Sequence, residues 1–389
     1  MNTSRIIRRS KVAVFLLLIS AIVSSNAQSA FSADCEGFDQ KNLFRCDLQG
    51  ANLKNSNFQN WSISEAKLNG ANLSNSNLNG ASFTNSNLSS ANLRNAKLVG
   101  ASLFGTNLNK ADLTGAYLDN VRSGEIRGIP KLPAKWKLVR GYLIGPNSNL
   151  EGANLDNSNL TGVDLSGANL SSASFIKANL TNAALTGVFA QGSDFSRANL
   201  TSSRLAFSNL ASTNFSNANL RGANIGKANL QQASFVNSNL SGAILMGTRS
   251  RVTVDFDTEK IDTDFTNANL SKANLTDADL SFAYFYNSNL SDAFLIRTKL
   301  FGSILVRANI SRAKTQGLNL SEADLTGATL LGTNLSGSNL KNAYFGNQPQ
   351  LKIPPALLDS KYSGIKVFGV PYKLPPGWSI AKGKLIFRK

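Results

Sequence analysis

From residue 70 the chain reads GANLSNSNLNGASFTNSNL, and its large apolar residues, Leu73, Leu78, Phe83 and Leu88, fall at every fifth place. Five steps around an α-helix turn a side chain by about 140° per repeat, so these four would scatter round the axis. In a flat strand an odd spacing sends them to alternate faces. Neither element gathers them. A period of five therefore marks a unit in its own right, a short extended wall followed by a turn, repeated so that each central Leu or Phe returns to one interior. Two places before each centre stands a small residue, at Ala71, Ser76, Ala81 and Ser86, usually with Asn or Asp in between. One outward position between two inward ones is strand spacing. The two places after each centre hold Ser, Thr, Asn, Gly, Lys or Arg, which suit a solvated corner.

The frame runs from Phe38 to Leu118, from Leu150 to Leu245 and from Phe265 to Phe345, about 54 units in all. Its pattern of Ala, Ser, Thr or Val, then Asn or Asp, then Leu or Phe, then two variable residues resembles the pentapeptide-repeat family. The resemblance implies an all-β fold, a right-handed quadrilateral β-helix with four pentapeptides per coil. Shape and handedness come from the resemblance, because the period alone fixes neither. Trp61 occupies a normally small inward position and is expected to mark a local bulge.

Ahead of the repeats, Arg5, Arg8, Arg9 and Lys11 precede an apolar run from Val12 to Val23, followed by the small residues around Ala27. This reads as a signal peptide over 1–27, cleaved after Ala27. The run is short for a membrane span of about 20 residues, so no transmembrane helix is expected once the leader is removed. Asp34 before Cys35 argues against a lipoprotein box. The chain is expected to be exported, to the envelope, the periplasm or the medium. Its two cysteines, Cys35 and Cys46, then meet an oxidising environment and are candidates for a disulfide closing the N-terminal end. The plainer reading is that Cys46 fills a small inward place two before Leu48.

Charge divides the chain further. The net charge is +17, with four of the basic residues in the leader. Residues 121–146 hold six basic side chains against Glu125 alone, and 351–389 hold eight against Asp359 alone, whereas the coils are close to neutral. These two segments resemble each other, GIPKLPAKWKLVRGYLIGP at 128–146 and GVPYKLPPGWSIAKGKLIF at 369–387. The organisation expected is a first block over 28–120, a basic Pro/Trp module over 121–146, a second block over 147–347 interrupted at 247–262, and a C-terminal basic capping module over 348–389. Leu138 and Leu143 keep the fivefold frame, so the first module is expected to leave the β-helix and rejoin it through Trp136 and Leu138. Each module offers a candidate anion- or partner-binding patch: Lys131, Lys135, Lys137 and Arg140 with Trp136 and Tyr142, and Lys373, Lys382, Lys384, Arg388 and Lys389 with Trp378. The alternative is that the tryptophans fill small local cores and the charges are simply solvated.

The interruption carries Asp255, Asp257, Glu259, Asp262 and Asp264, which invite a calcium reading. It has neither an EF-hand nor a glycine-rich calcium repeat, and a solvated loop fits better. Either one coil is distorted there, or a small β excursion leaves and returns in phase. The chain has no histidine, which removes the commonest general base and metal ligand. No nucleotide loop or nucleophile elbow appears, so neither catalytic activity nor a cofactor or metal is expected. The reading is an exported, non-enzymatic scaffold whose modules contact anionic envelope polymers or a protein partner, without specific nucleic-acid binding. The alternative comes from the resemblance: some members of the family mimic B-DNA and engage gyrase. A leader and basic modules both argue against that here.

Overall fold

A computed structural model describes residues 41–250, 262–335 and 337–344, together with the backbone of two C-terminal strands, 378–381 and 384–387. The leader, Cys35 and most of the C-terminal module lie outside the described residues. The fold grows from a single pentapeptide. In Ala51-Asn52-Leu53 the first and third side chains are buried and the middle one is exposed. The chain then turns. Ala51 N–H donates to Leu48 O at 3.1 Å and Gly50 sits at φ 65°; Asn55, Asn60 and Asn75 repeat that left-handed turn residue at φ 58–59°. A positive φ at the third residue of a turn favours Gly and Asn, which is why they crowd the corners. The outward Asn or Asp completes the turn from the other side, as where Asn72 Oδ1 accepts Ser74 N–H at 3.2 Å.

Units then stack. Asn52 bridges Asn72, Asn72 bridges Asn92 and Asn92 bridges Asp112, all in parallel, so one coil is 20 residues and four pentapeptides. Leu53 N–H donates to Asn72 O at 2.7 Å and Asn72 N–H to Ala51 O at 2.9 Å. A lone wall leaves those groups unpaired, and only a neighbouring coil satisfies them. The first inward position is small because it faces backbone. Ser76 Oγ donates to Leu53 O at 2.8 Å, and Thr106 Oγ1 to Phe83 O at 2.9 Å. At one such place a larger residue is matched by a smaller centre, Val188 with Ala190, both buried.

The molecule divides into two compact units, one comprising the chain up to Ala153 with Asp164–Asn169, the other Asn154–Val163 and everything from Leu170. In each, the four sides are numbered here in chain order. In the first unit, side 1 carries Ser62, Ser82 and Ser102, and sides 2, 3 and 4 carry the columns of Asn107, Asp112 and Tyr117. Trp61 makes no bulge. Asn42 still bridges Ser62 and Ser62 bridges Ser82, while Trp61 is only 9% exposed and meets Phe58 edge-on at 5.3 Å. The corresponding place one coil earlier belongs to Lys41, which is exposed.

In the second unit, side 1 carries Phe189, Asn209, Asn229 and Arg249; side 2, Asp194, Asn214, Ser234 and Asp264; side 3, Asn199, Asn219, Asn239 and Asn269; side 4, Arg204, Asn224, Ile244 and Asn274. Behind side 2, Phe175, Phe195, Phe215, Phe235, Phe265 and Phe285 form one continuous stack, with centroids 4.6–5.2 Å apart and near-parallel rings. The step from Phe235 to Phe265 is no wider than the rest, and Ser234–Asp264, Asn239–Asn269, Ile244–Asn274 and Arg249–Asp279 all bridge at an interval of 30. Ten extra residues are accommodated there without breaking the ladder. The frame is kept through Ser250 and resumes at Thr263, both buried.

Candidate functional site

The first module begins as ordinary repeat. Arg122, Arg127 and Lys131 take the outward places of sides 1, 2 and 3 and bridge Ser102, Asn107 and Asp112. Past Lys131 the frame is left. Strands β1 (Lys137–Val139) and β2 (Tyr142–Ile144) then form an antiparallel hairpin with Leu138 opposite Leu143. The fivefold match of those two leucines thus reflects cross-strand pairing rather than two coil walls. The loop is Arg140-Gly141, with φ of 51° and 82°. Positive φ at both central residues is the type I′ turn, whose twist matches that of paired strands. A Cβ at Gly141 would stand 2.9 Å from Glu125 N, so the position needs glycine for space as well.

The hairpin is docked rather than free. Ile126 N–H donates to Gly141 O at 3.1 Å and Leu143 N–H to Ser123 Oγ at 2.9 Å. Leu143 and Ile144 are buried, while Leu132, Trp136 and Leu138 cover the same core only in part. The chain rejoins the ladder further on, at Asn149, which bridges Arg122 after 27 residues instead of 20. Seven extra residues explain the two-place slip of the frame. The Trp136 indole lies on Gly145, where a Cβ would come within 2.3–2.6 Å of its ring atoms. Trp136 is therefore a packing residue, closed down on backbone. Tyr142 stands beside Gly124, with Phe104 on the same glycine.

The candidate cations do not converge on one patch. Lys131 points out from side 3, in the column of Asp112, whereas Lys137 and Arg140 ride on the hairpin, and all three are exposed. Lys135 is tied to Asp164 at 3.1 Å. Burial opposes ionisation of that carboxyl, yet hydrogen bonds from Ser166 and Lys135 outweigh it and hold Asp164 below the ordinary carboxylate range. Arg122 and Arg127, exposed on sides 1 and 2, join the charge of this coil, and Arg127 Nη2 donates to Gly105 O at 3.2 Å. Sequence reasoning counted these two without selecting them; their place in the outward column was the available signal. The result is a basic girdle around one coil, continued on a hairpin, with Ile129 83% exposed beside it.

In the C-terminal copy, strands β3 (Trp378–Ala381) and β4 (Lys384–Phe387) pair with Ile380 opposite Leu385, the register of Leu138 and Leu143. Lys373, Lys382, Arg388 and Lys389 lie outside the described residues, and Lys384 and Trp378 are placed by backbone alone. At the first coil Cys46 is fully buried and is not a free thiol; its expected partner Cys35 lies outside the described residues. Nearby, a cavity of about 440 Å³ is lined by Lys41, Asn57, Gln59, Asn60 and Trp61, a set without an acid or a nucleophile pair. Among the described residues no cluster of acids and cysteines could hold a metal ion, and no helix is long and apolar enough to cross a membrane.

Twenty-residue coils of four pentapeptides, joined by parallel bridges around a buried Leu and Phe interior, define a β-helix solenoid. The chain belongs to the pentapeptide-repeat family: the family model matches repeatedly, over 42–80, 86–122, 148–187, 178–217, 213–249, 262–302 and 303–342. Proteins of this family are typically non-enzymatic binding scaffolds. Among solved structures the chain is similar to HetL, a pentapeptide repeat protein involved in heterocyst differentiation regulation from the cyanobacterium Nostoc sp. PCC 7120, at 22% identity over 80% of this chain and 92% of that one, TM-score 0.18. It is also similar to QnrB1, a plasmid-mediated fluoroquinolone resistance protein, at 21% identity over 50% and 92%, TM-score 0.30. A pentapeptide repeat protein from the Arabidopsis thaliana thylakoid lumen matches at 29% identity over 26% and 68%, TM-score 0.21. No curated protein matches the chain.

Proposed function

We propose that this is an exported, non-enzymatic β-helical scaffold that contacts an anionic polymer of the cell envelope, or an acidic protein partner, through its Pro/Trp modules. The observation that carries the reading is the girdle: Arg122, Arg127, Lys131, Lys137 and Arg140 are exposed on one coil and its hairpin, with Glu125 the only acid in 121–146. Phosphate- or uronate-bearing chains are long enough to wrap a charged coil, and several weak contacts then add along the polymer. The right-handed sense of the solenoid, cleavage after Ala27 and the Cys35–Cys46 bridge belong to the same reading.

The test is retention of the protein on immobilised polyuronate or wall phosphate polymer at about 0.15 M salt, where exposed charges more than about 8 Å apart are largely screened. Reversing Lys137 and Arg140 to Glu is expected to lower retention about tenfold. Unchanged retention, with 351–389 also removed, overturns the polymer reading. N-terminal sequencing of the protein from the envelope fraction of its host checks export, and an intact leader in the cytosol overturns it. The DNA-mimic alternative would want an acidic surface, and the outward columns here are mainly amide and hydroxyl, with acids balanced by cations outside the module.

A further inference from the structure

Away from the modules, one stretch of the second unit stands apart in charge. From Phe195 to Ser250 there are five cations, Arg197, Arg204, Arg221, Lys227 and Arg249, and no carboxylate. Elsewhere in this unit three cations pair with an acid one coil away, Arg297 with Asp277, Lys299 with Asp279 and Arg312 with Asp292. Among the described residues none of these five enters an ion pair.

The fold places four of them on two adjacent sides, 4 and 1, and at their borders. Arg204 is on side 4, Lys227 sits at the corner leading to side 1, Arg249 is on side 1 and Arg221 at the other border of side 4. Among the described residues, the edge between sides 4 and 1 carries this unit's most exposed phenylalanines, Phe207 at 64% and Phe189 at 57%, with Met246 at 42% and Ile244 at 39%. Phe207 occupies a corner one coil step on from Phe189, and Met246 a corner two steps beyond Phe207. Phe207 N–H donates to Gly226 O, and Lys227 N–H to Met246 O. Lys227 Nζ stands 5.3 Å from the Phe207 ring centroid. Among the described residues the nearest carboxylates on these sides, Asp277 and Asp279, are on the next coil and already paired with Arg297 and Lys299.

We propose that this edge is a docking surface for a bilayer rich in anionic phospholipid. The shape decides the class of partner. Corners of a β-helix are convex, so Phe207 and Met246 project, and a ridge of apolar tips flanked by cations suits the headgroup boundary, where aromatic rings embed and Lys or Arg meet phosphate. A purely anionic polymer needs the cations and gives the phenylalanines nothing to enter. An exposed apolar cluster of this kind is uncommon on a monomer without a use.

The experiment places an environment-sensitive fluorophore on the full-length protein through Met246→Cys, with a second label through Asn219→Cys on side 3 of the same coils, facing the opposite way. Vesicles of phosphatidylglycerol with phosphatidylethanolamine are compared with phosphatidylcholine alone. The label at position 246 is expected to shift blue and to be quenched by chain-labelled lipid only with anionic vesicles, and the label at 219 to stay unchanged. Phe189→Ser with Phe207→Ser is expected to reduce the response about tenfold, and Arg204→Glu with Lys227→Glu by a similar factor. Equal responses at both labels, no response at 246, or a response that survives loss of both phenylalanines overturns the proposal. A response lost only on reversing Lys137 and Arg140 assigns binding to the module and overturns it too, so this surface and the module reading fail separately.

Discussion

Replacing Phe215 by Leu tests whether the aromatic column is an energetic element or merely a set of space-filling side chains. Phe215 is fully buried, with Phe195 and Phe235 stacked on its two faces at 5.2 and 4.9 Å. Phe285 is equally buried but ends the stack, having only Phe265, at 4.9 Å, because Leu305 follows it behind side 2. Leucine keeps the apolar burial and occurs at both ends of this column, at Leu155 and Leu305. Both substitutions therefore share a similar volume change, on the order of 1 kcal/mol. What differs is stacking, worth about 0.5–1.5 kcal/mol per aromatic pair. Phe215→Leu loses two pairs and Phe285→Leu one, so the interior variant is expected to be less stable than the terminal one by about 0.5–1.5 kcal/mol. Repeat arrays need not unfold in one step, so the measurement is hydrogen exchange of the amides of Phe195, Phe235 and Phe265, read beside urea unfolding. Equal losses in the two variants, or a larger loss at Phe285, would refute the claim that ring-on-ring contact adds to simple burial.

Further outcomes follow from the geometry. Ala190→Leu is expected to destabilise by about 1–3 kcal/mol through overpacking; adding Val188→Ala restores the small-outward-large pattern of Ser208-Asn209-Leu210 and should recover most of it, so an additive double mutant in thermal melts rejects the pairing. Gly141→Ala forces a left-handed Cβ against Glu125 backbone and is expected to cost about 1–2 kcal/mol; limited proteolysis should then cut between 132 and 146 first, and unaltered cleavage argues against the docked turn. Asp164 is held below its usual pKa when folded, so its contribution is present above the unfolded value of about 3.9 and is lost as pH falls through the lower, folded value. Protease sensitivity of the module should accordingly rise on going from pH 5 to pH 3, and Lys135→Met should flatten that dependence. A Lys135→Met protein with the wild-type pH profile would show that the ion pair is idle.

The repeat was legible because each of its positions answers to a local rule. Gly and Asn accept the left-handed corner, Asn or Asp closes the turn, Ala, Ser or Thr clears the backbone, and Leu or Phe fills the interior. Where those rules held, as at Leu73 or Phe83, position in the frame was position in space. Trp61 broke the size rule without breaking the register, since Ser62 still bridges Asn42 and Ser82. The module was read less well. Leu138 and Leu143 matched the fivefold count by coincidence with hairpin register, and Arg140-Gly141 between apolar pairs was the overlooked turn signal. The candidate site suffered most, since which cations share a face depends on which side of a coil each column falls.

By itself the sequence determined the unit, its inward and outward positions, its corners and the places where the frame is interrupted, since all of these rest on contacts within five residues. Only the tertiary structure decided which residues twenty or thirty apart are neighbours. It brought the six phenylalanines into one column, passed the ladder across the interruption at an interval of 30, spread the module's cations round a coil, and set Phe189, Phe207 and Met246 on one edge with Arg204 and Lys227. The physical reason is that a solenoid's lateral contacts are made between coils, where hydrogen bonds and ring stacking depend on register along the axis, and no local preference of the chain records that register.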